Sequence, residues 1–236
     1  MEWITSENLA TAEQAAAQFI ANCLARAIDA RGGATLAISG GESPWGMFGR
    51  LAEQSLDWSR VHLLQVDERI APAGHADRNW TRFSASALAA RVPAANRHPM
   101  PVEIADSELA AARYAETLRE CARQGHGQIS DPPVLDIVHL GIGNDGHTAS
   151  LFPDDELLAE TQRRVGVSAA PHAGYRRVSL TLPTINAARD IVWYVVGAGR
   201  REVAGRLFAR DAAIPASRVR RERATCFTDF SAAPET

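Results

Sequence analysis

The chain has 236 residues, with 25 basic and 28 acidic side chains, a formal net charge of −3 and 46% hydrophobic residues. A chain of this size and composition buries a full core without staples, and residues 1–236 are expected to form a single domain. Every basic residue is arginine, which excludes a Walker-type phosphate loop and Schiff-base chemistry, because both need a lysine.

In chain order, residues 6–30 carry apolar side chains at helical spacing, and Gly32-Gly33 ends the segment. Residues 35–38 read as a short buried strand, followed by Ser39-Gly40-Gly41-Glu42-Ser43-Pro44. Pro44 suits the first position of the next helix, with Ser43 as its N-cap, and that helix runs to about Gln54. Residues 61–66 form a second strand with Asp67-Glu68-Arg69 at its end. Asp77 is placed to cap a helix reaching about Ala90. A third helix spans about 107–124, residues 125–133 form a loop, and residues 134–140 form a strand. Further strands are expected at 177–182, 190–196 and 224–228, with a helix at about 200–210. Strands alternating with helices predict an α/β, Rossmann-like fold, a mostly parallel sheet flanked by helices on both faces. Ligands of such folds bind beyond the carboxyl ends of the strands, where the polar, glycine-bearing segments fall.

Cys23, Cys121 and Cys226 are odd in number, far apart and without C-x-x-C spacing. Neither a disulfide framework nor a structural zinc site is expected, and a reducing, cytoplasmic setting fits. The first residues lack the charged and apolar regions of a signal peptide. The longest apolar run, residues 191–196, is far too short to span a membrane. A mildly acidic chain without a basic tail is not expected to bind nucleic acid.

Three segments can carry chemistry. In Ser39-Gly40-Gly41-Glu42-Ser43, glycines free the backbone amides to face an anion at a helix N-terminus, although Glu42 would repel one unless turned to solvent. Arg69 offers a planar fork suited to phosphate, or pairs with its acidic neighbours. Gly141 to Gly146 matches the dinucleotide pattern G-x-G-x-x-G, but the proline and acidic cluster at residues 153–156 do not read as the helix such a site needs. Within this loop, His147 sits two residues after Asp145, and a loop histidine so placed can act as a general base. His62 and His139 fall inside strands and are expected to be packed or paired. No G-x-S-x-G elbow and no H-E-x-x-H helix is present, so a metal-free, water-using mechanism is expected.

Residues 140–153, LGIGNDGHTASLFP, closely resemble the signature of 6-phosphogluconolactonases. Ser39-Gly40-Gly41, Asp67-Glu68-Arg69 and Arg177-Val178-Ser179-Leu180-Thr181-Leu182-Pro183 match in order, so the resemblance runs from about Ala37 to Arg201. It implies hydrolysis of 6-phospho-D-glucono-1,5-lactone in the oxidative pentose phosphate pathway, with no metal or organic cofactor and a monomeric enzyme. By the same resemblance His147 is the base that activates water, Asp145 supports it, and Ser39, Gly40, Gly41, Ser43, Arg69, Arg177 and Arg200 hold the substrate phosphate; Arg176 and Arg177 fall on opposite strand faces, either could meet the phosphate, and motif position favours Arg177. Arg200 stands where the family often has lysine, and Glu42 where it usually has a small hydroxyl residue. Arg78 replaces a common serine and is expected to be solvated. Backbone amides of the 141–146 loop are expected to receive the oxyanion. Two other readings remain open: a glucosamine-6-phosphate deaminase/isomerase, in which D-E-Y is usual where this chain has Asp67-Glu68-Arg69, and a non-catalytic sugar-phosphate sensor.

Overall fold

Ala12, Ala16, Ile20, Leu24 and Ala27 recur along one side of a helix, α1 (Leu9–Arg31), and that side is fully buried. Asn8 caps its first turn by accepting from the Thr11 amide, and Gly32, at φ +83°, closes it in the left-handed region that favours glycine. In the computed structural model, which describes residues 1–126 and 131–232, this helix covers one face of a seven-stranded sheet.

The strands are β1 (Glu2–Thr5), β2 (Ala34–Ile38), β3 (Val61–Gln65), β4 (Asp67–Arg69), β5 (Arg97–His98), β6 (Ile137–Leu140), β7 (Val165–Val167), β8 (Arg177–Leu180), β9 (Asp190–Tyr194) and β10 (Ala224–Thr228). The remaining helices are α2 (Trp45–Ala52), α3 (Asn79–Ser84), α4 (Ala87–Arg91), α5 (Ser107–His126), α6 (Leu182–Ala187) and α7 (Arg201–Phe208). The main sheet has the order β1-β10-β9-β6-β2-β3-β5, and every pairing in it is parallel. A small antiparallel sheet, β4-β8-β7, lies beside it.

Side-chain alternation along the parallel strands feeds two cores. Leu36, Leu63, Ile137 and Val192 join α1, α2 and α4 on one face. Ala37, Leu64, Val138 and Trp193 join α5, α7 and the small sheet on the other. Asp136, almost fully buried, ties the sheet together by accepting from the Thr35 amide at 2.8 Å and from Arg31 at 2.5 Å.

Three local expectations are corrected. The cap of α2 is Pro44, with no side-chain bond from Ser43. Asp77 caps nothing: it accepts from the Tyr175 hydroxyl at 2.9 Å, and the expected single helix is two, α3 and α4, the second capped by Ser86. The strand expected over 177–182 stops at Leu180, and Leu182 already begins α6. Of the loop expected at 125–133, residues 127–130 lie outside the described residues.

Candidate active site

The carboxyl ends of β2, β6 and β9 open on a cleft. Of the nine residues singled out in the sequence, Ser39, Gly40, Gly41, Ser43, Arg69, His147, Arg177 and Arg200 line this cleft, and Asp145 stands behind His147. Sequence reasoning missed Asp67, Asn79, His139 and Tyr194, which share the wall. Strand alternation holds the one available signal, because His139 and Tyr194 fall at the ends of their strands on the face that packs α2.

The loop at residues 39–44 is braced from below. Ser39 donates its amide to His139 Nδ1 at 3.3 Å and its hydroxyl to the His139 carbonyl at 3.0 Å. Both Ser39 donors are thereby spent inside the protein. Gly41, at φ +100°, turns the chain, and its carbonyl accepts from Trp45 Nε1 at 2.7 Å and from Arg82 at 3.2 Å. With its carbonyl held outward, the loop leaves the amides of Gly40, Gly41, Glu42 and Ser43 without an acceptor among the described residues. Such a run of amides at the start of α2 is an anion cradle. Glu42 is exposed at the loop's apex.

His147 is fixed on three sides. Its Nδ1 lies 2.5 Å from Asp145 Oδ1, and its amide donates to the same oxygen at 3.1 Å. A carboxylate only accepts, so Nδ1 carries the proton and Nε2 keeps the free lone pair. Phe152 packs against the ring at 4.6 Å between centroids. Gly143 passes beneath it so closely that a Cβ there would collide with the imidazole. Partial burial pushes the Asp145 carboxyl up, but the His147 amide and the imidazole outweigh it and hold the group below the usual carboxylate range. In the same loop, the amides of Gly143 and Gly146 are engaged by the His147 and Gly143 carbonyls, so an oxyanion donor from this loop would have to come from the remaining amides. No helix follows Gly146. The next helical turn begins at Glu156, so the geometry of a dinucleotide site is not formed.

The arginines divide by role. Arg177 is buried, and Asp67 Oδ2 lies 3.9 Å from its Nη1. Burial pulls its pKa down, and Asp67 pulls it up. Strand alternation sends Arg176 the other way, where its Nε donates to the Ser168 carbonyl at 3.0 Å. Arg69 is held by the Asp77 carbonyl and Arg200 by the Asn144 side chain, and both still face the cleft. Arg78 is not solvated. It is 3% exposed and pairs with buried Glu68 at 3.5 Å and with Glu103. Glu68 itself accepts from the amides of Arg69, Asn79 and Trp80 at 2.8 Å each, which makes it the anchor of α3 rather than a site residue. His139 Nε2, Tyr194 Oη and Arg177 Nε are buried on residues of the cleft wall and take no partner among the described residues.

Residues 7–228 match the family described as glucosamine-6-phosphate isomerases/6-phosphogluconolactonase, and the chain belongs to that family. It is 37% identical over 190 residues to a 6-phosphogluconolactonase of Synechocystis sp., covering 80% of this chain and 77% of that protein. It is 37% identical over 202 residues to a 6-phosphogluconolactonase of Rhizobium meliloti, covering 84% and 83%. Among solved structures, a 6-phosphogluconolactonase from Shewanella baltica superposes with a TM-score of 0.82 at 28% identity, over 97% of both chains.

Proposed function

We propose that this chain is a lactonase that hydrolyses 6-phospho-D-glucono-1,5-lactone to 6-phosphogluconate in the oxidative pentose phosphate pathway. The observation that carries the reading is the pairing of His147, held through Nδ1 by Asp145, with a cradle of unengaged amides in the same cleft. The relatives bearing this activity in their names support it.

A δ-lactone is an activated ester, and its hydrolysis needs a positioned base and donors for the developing oxyanion. In this reading His147 Nε2 takes a proton from water as the oxygen attacks C1. Ionised Asp145 stabilises the imidazolium that forms. The proton then passes to the ring oxygen as the C1–O bond breaks, giving the open acid and restoring neutral His147. The amides of Gly40, Gly41 and Ser43, with Arg69, Arg177 and Arg200, bind the 6-phosphate. Ser39 shares this role through its grip on the loop. That binding energy lies far from C1 and positions the ring for attack. No step in this scheme calls for a metal or organic cofactor.

Among the described residues no helix is long and apolar enough to cross a membrane, and all three cysteines are buried and free. The reading takes the protein as a single-domain, cytoplasmic monomer whose partner is the sugar phosphate alone. The test is to generate the lactone in place and follow its loss against the spontaneous rate. Acceleration supports the reading. Ammonia release from glucosamine 6-phosphate without lactone hydrolysis would replace it with the deaminase. Binding of 6-phosphogluconate with neither turnover would replace it with a sensor.

A further inference from the structure

Outside the cleft, His62, His98 and Cys121 bring two ring nitrogens and a sulfur within 4.8 Å of one another. Three elements supply them: His62 is the second residue of β3, His98 the last of β5, and Cys121 lies on α5. His62 and His98 sit on the sheet face that packs α5, at its β3–β5 edge, and Cys121 meets them from α5. His62 Nδ1 lies 3.0 Å from His98 Nε2. Burial holds both rings below the usual histidine range, and no acidic neighbour draws either toward the charged form. Two neutral imidazoles and a thiol, converging with no carboxylate among them, form an unusual group for a packed sheet edge.

We propose that His62, His98 and Cys121 form a binding site for a single borderline-soft divalent metal ion of the zinc class. The donor set carries the choice: imidazole with thiolate selects zinc-like ions, whereas magnesium and calcium require oxygen. The spacing agrees. Zinc bonds of about 2.1 Å to nitrogen and 2.3 Å to sulfur put tetrahedral donors roughly 3.3–3.6 Å apart. The nitrogen pair is already at 3.0 Å and the widest separation in the set is within 4.8 Å, so shifts of about 1 Å and rotation of the two rings admit the ion. On loading, the thiol proton leaves to solvent. The proton between the rings moves to an outer ring nitrogen, so one proton is released per ion. The two half-buried histidines leave the fourth position to water.

The site is structural. β5 has only two residues and is the edge strand of the sheet, paired to β3 alone. An ion shared among His62, His98 and Cys121 ties that short strand to β3 and to α5. It is separate from the cleft: none of the three residues lines it, and His62 lies near the amino end of β3 whereas the cleft opens at the carboxyl ends of the strands.

The experiment uses the full chain, stripped of metal with a chelator, kept reduced and titrated with Co(II). The expected result is a thiolate-to-cobalt charge-transfer band that saturates at one ion per chain, is displaced by Zn(II), and comes with a Tm several degrees higher in Zn(II). Cys121→Ser, checked for native circular dichroism, is expected to lose the band, and His98→Gln to weaken binding at least tenfold. Lactone hydrolysis by Cys121→Ser is expected to stay at the wild-type rate, so the site stands or falls apart from the proposed activity. Absence of both the band and the Tm shift at about 1 mM metal would overturn the proposal. Persistence of the wild-type band in Cys121→Ser would overturn it as well, by assigning the thiolate to Cys23 or Cys226.

Discussion

At the scale of single residues, the division of labour turns on which polar atoms are already engaged. Asp145 accepts from both the amide and the ring of His147, so its carboxylate fixes the tautomer as well as the orientation. In the proposed mechanism, Asp145→Asn removes the charge that would stabilise the imidazolium and lets the ring turn. Its expected effect is a fall in kcat of about 10²-fold with KM nearly unchanged, read from steady-state lactone hydrolysis. Arg177 is the opposite case. It is buried beside Asp67 and keeps Nε unpartnered. Arg177→Lys keeps the charge and loses the planar fork, so KM is expected to rise by roughly tenfold or more while kcat falls less. The placement of these residues at one cleft was largely legible in the sequence, because His147, Asp145 and the glycines of their loop sit in one contiguous block. The roles of Ser39 and Arg78 were not. Ser39 hides its donors against His139, a residue 100 positions away. Arg78 finds buried Glu68 only once β4 and α3 have met.

At the scale of elements, β4 and α3 form the hinge of the site's architecture. Glu68 on β4 accepts from the first amides of α3, Arg78 covers its charge, and Asn79 returns a bond to the Asp67 carbonyl at 3.0 Å. This network holds Asp67 and Arg69 in the cleft wall. Arg78→Ala leaves Glu68 charged and buried with amides alone. The variant is expected to lose about 3 kcal/mol of stability in urea denaturation, where a solvated arginine would cost almost nothing. Strand and helix periodicity found α1, β2, β3, β10 and the helix at α7 within a few residues. It missed β1, β5 and β7 because strands of two to four residues carry too little alternation to register. It ran the 177–182 strand too far because Thr181-Leu182-Pro183 continues the apolar pattern while Pro183 already sits in the first turn of α6.

At the scale of the whole molecule, one sheet divides two cores and opens its carboxyl edge to the ligand, as the alternating pattern predicted. The cost of that arrangement is a polar floor under the cleft. Burial pushes the His139 imidazole down to about 3, so it stays neutral in the fold while the unfolded chain binds a proton near pH 6.5. The stabilising contribution is therefore complete above about pH 6.5 and is lost as the pH falls toward 3. Between pH 7 and pH 5 this one group is expected to remove about 2 kcal/mol from the unfolding free energy, and His139→Gln is expected to flatten that part of the pH dependence in urea titrations.

Catalysis in the proposed mechanism depends above all on His147 as the base. The direct measurement is the rate of 6-phosphogluconolactone hydrolysis by wild type and by His147→Ala, each corrected for the spontaneous reaction, with binding of 6-phosphogluconate measured in parallel. The variant is expected to lose nearly all acceleration, by a factor of about 10² or more, and still to bind the product through the loop at residues 39–44 and the arginines. A His147→Ala enzyme that binds the product and turns over the lactone near the wild-type rate would contradict the mechanism.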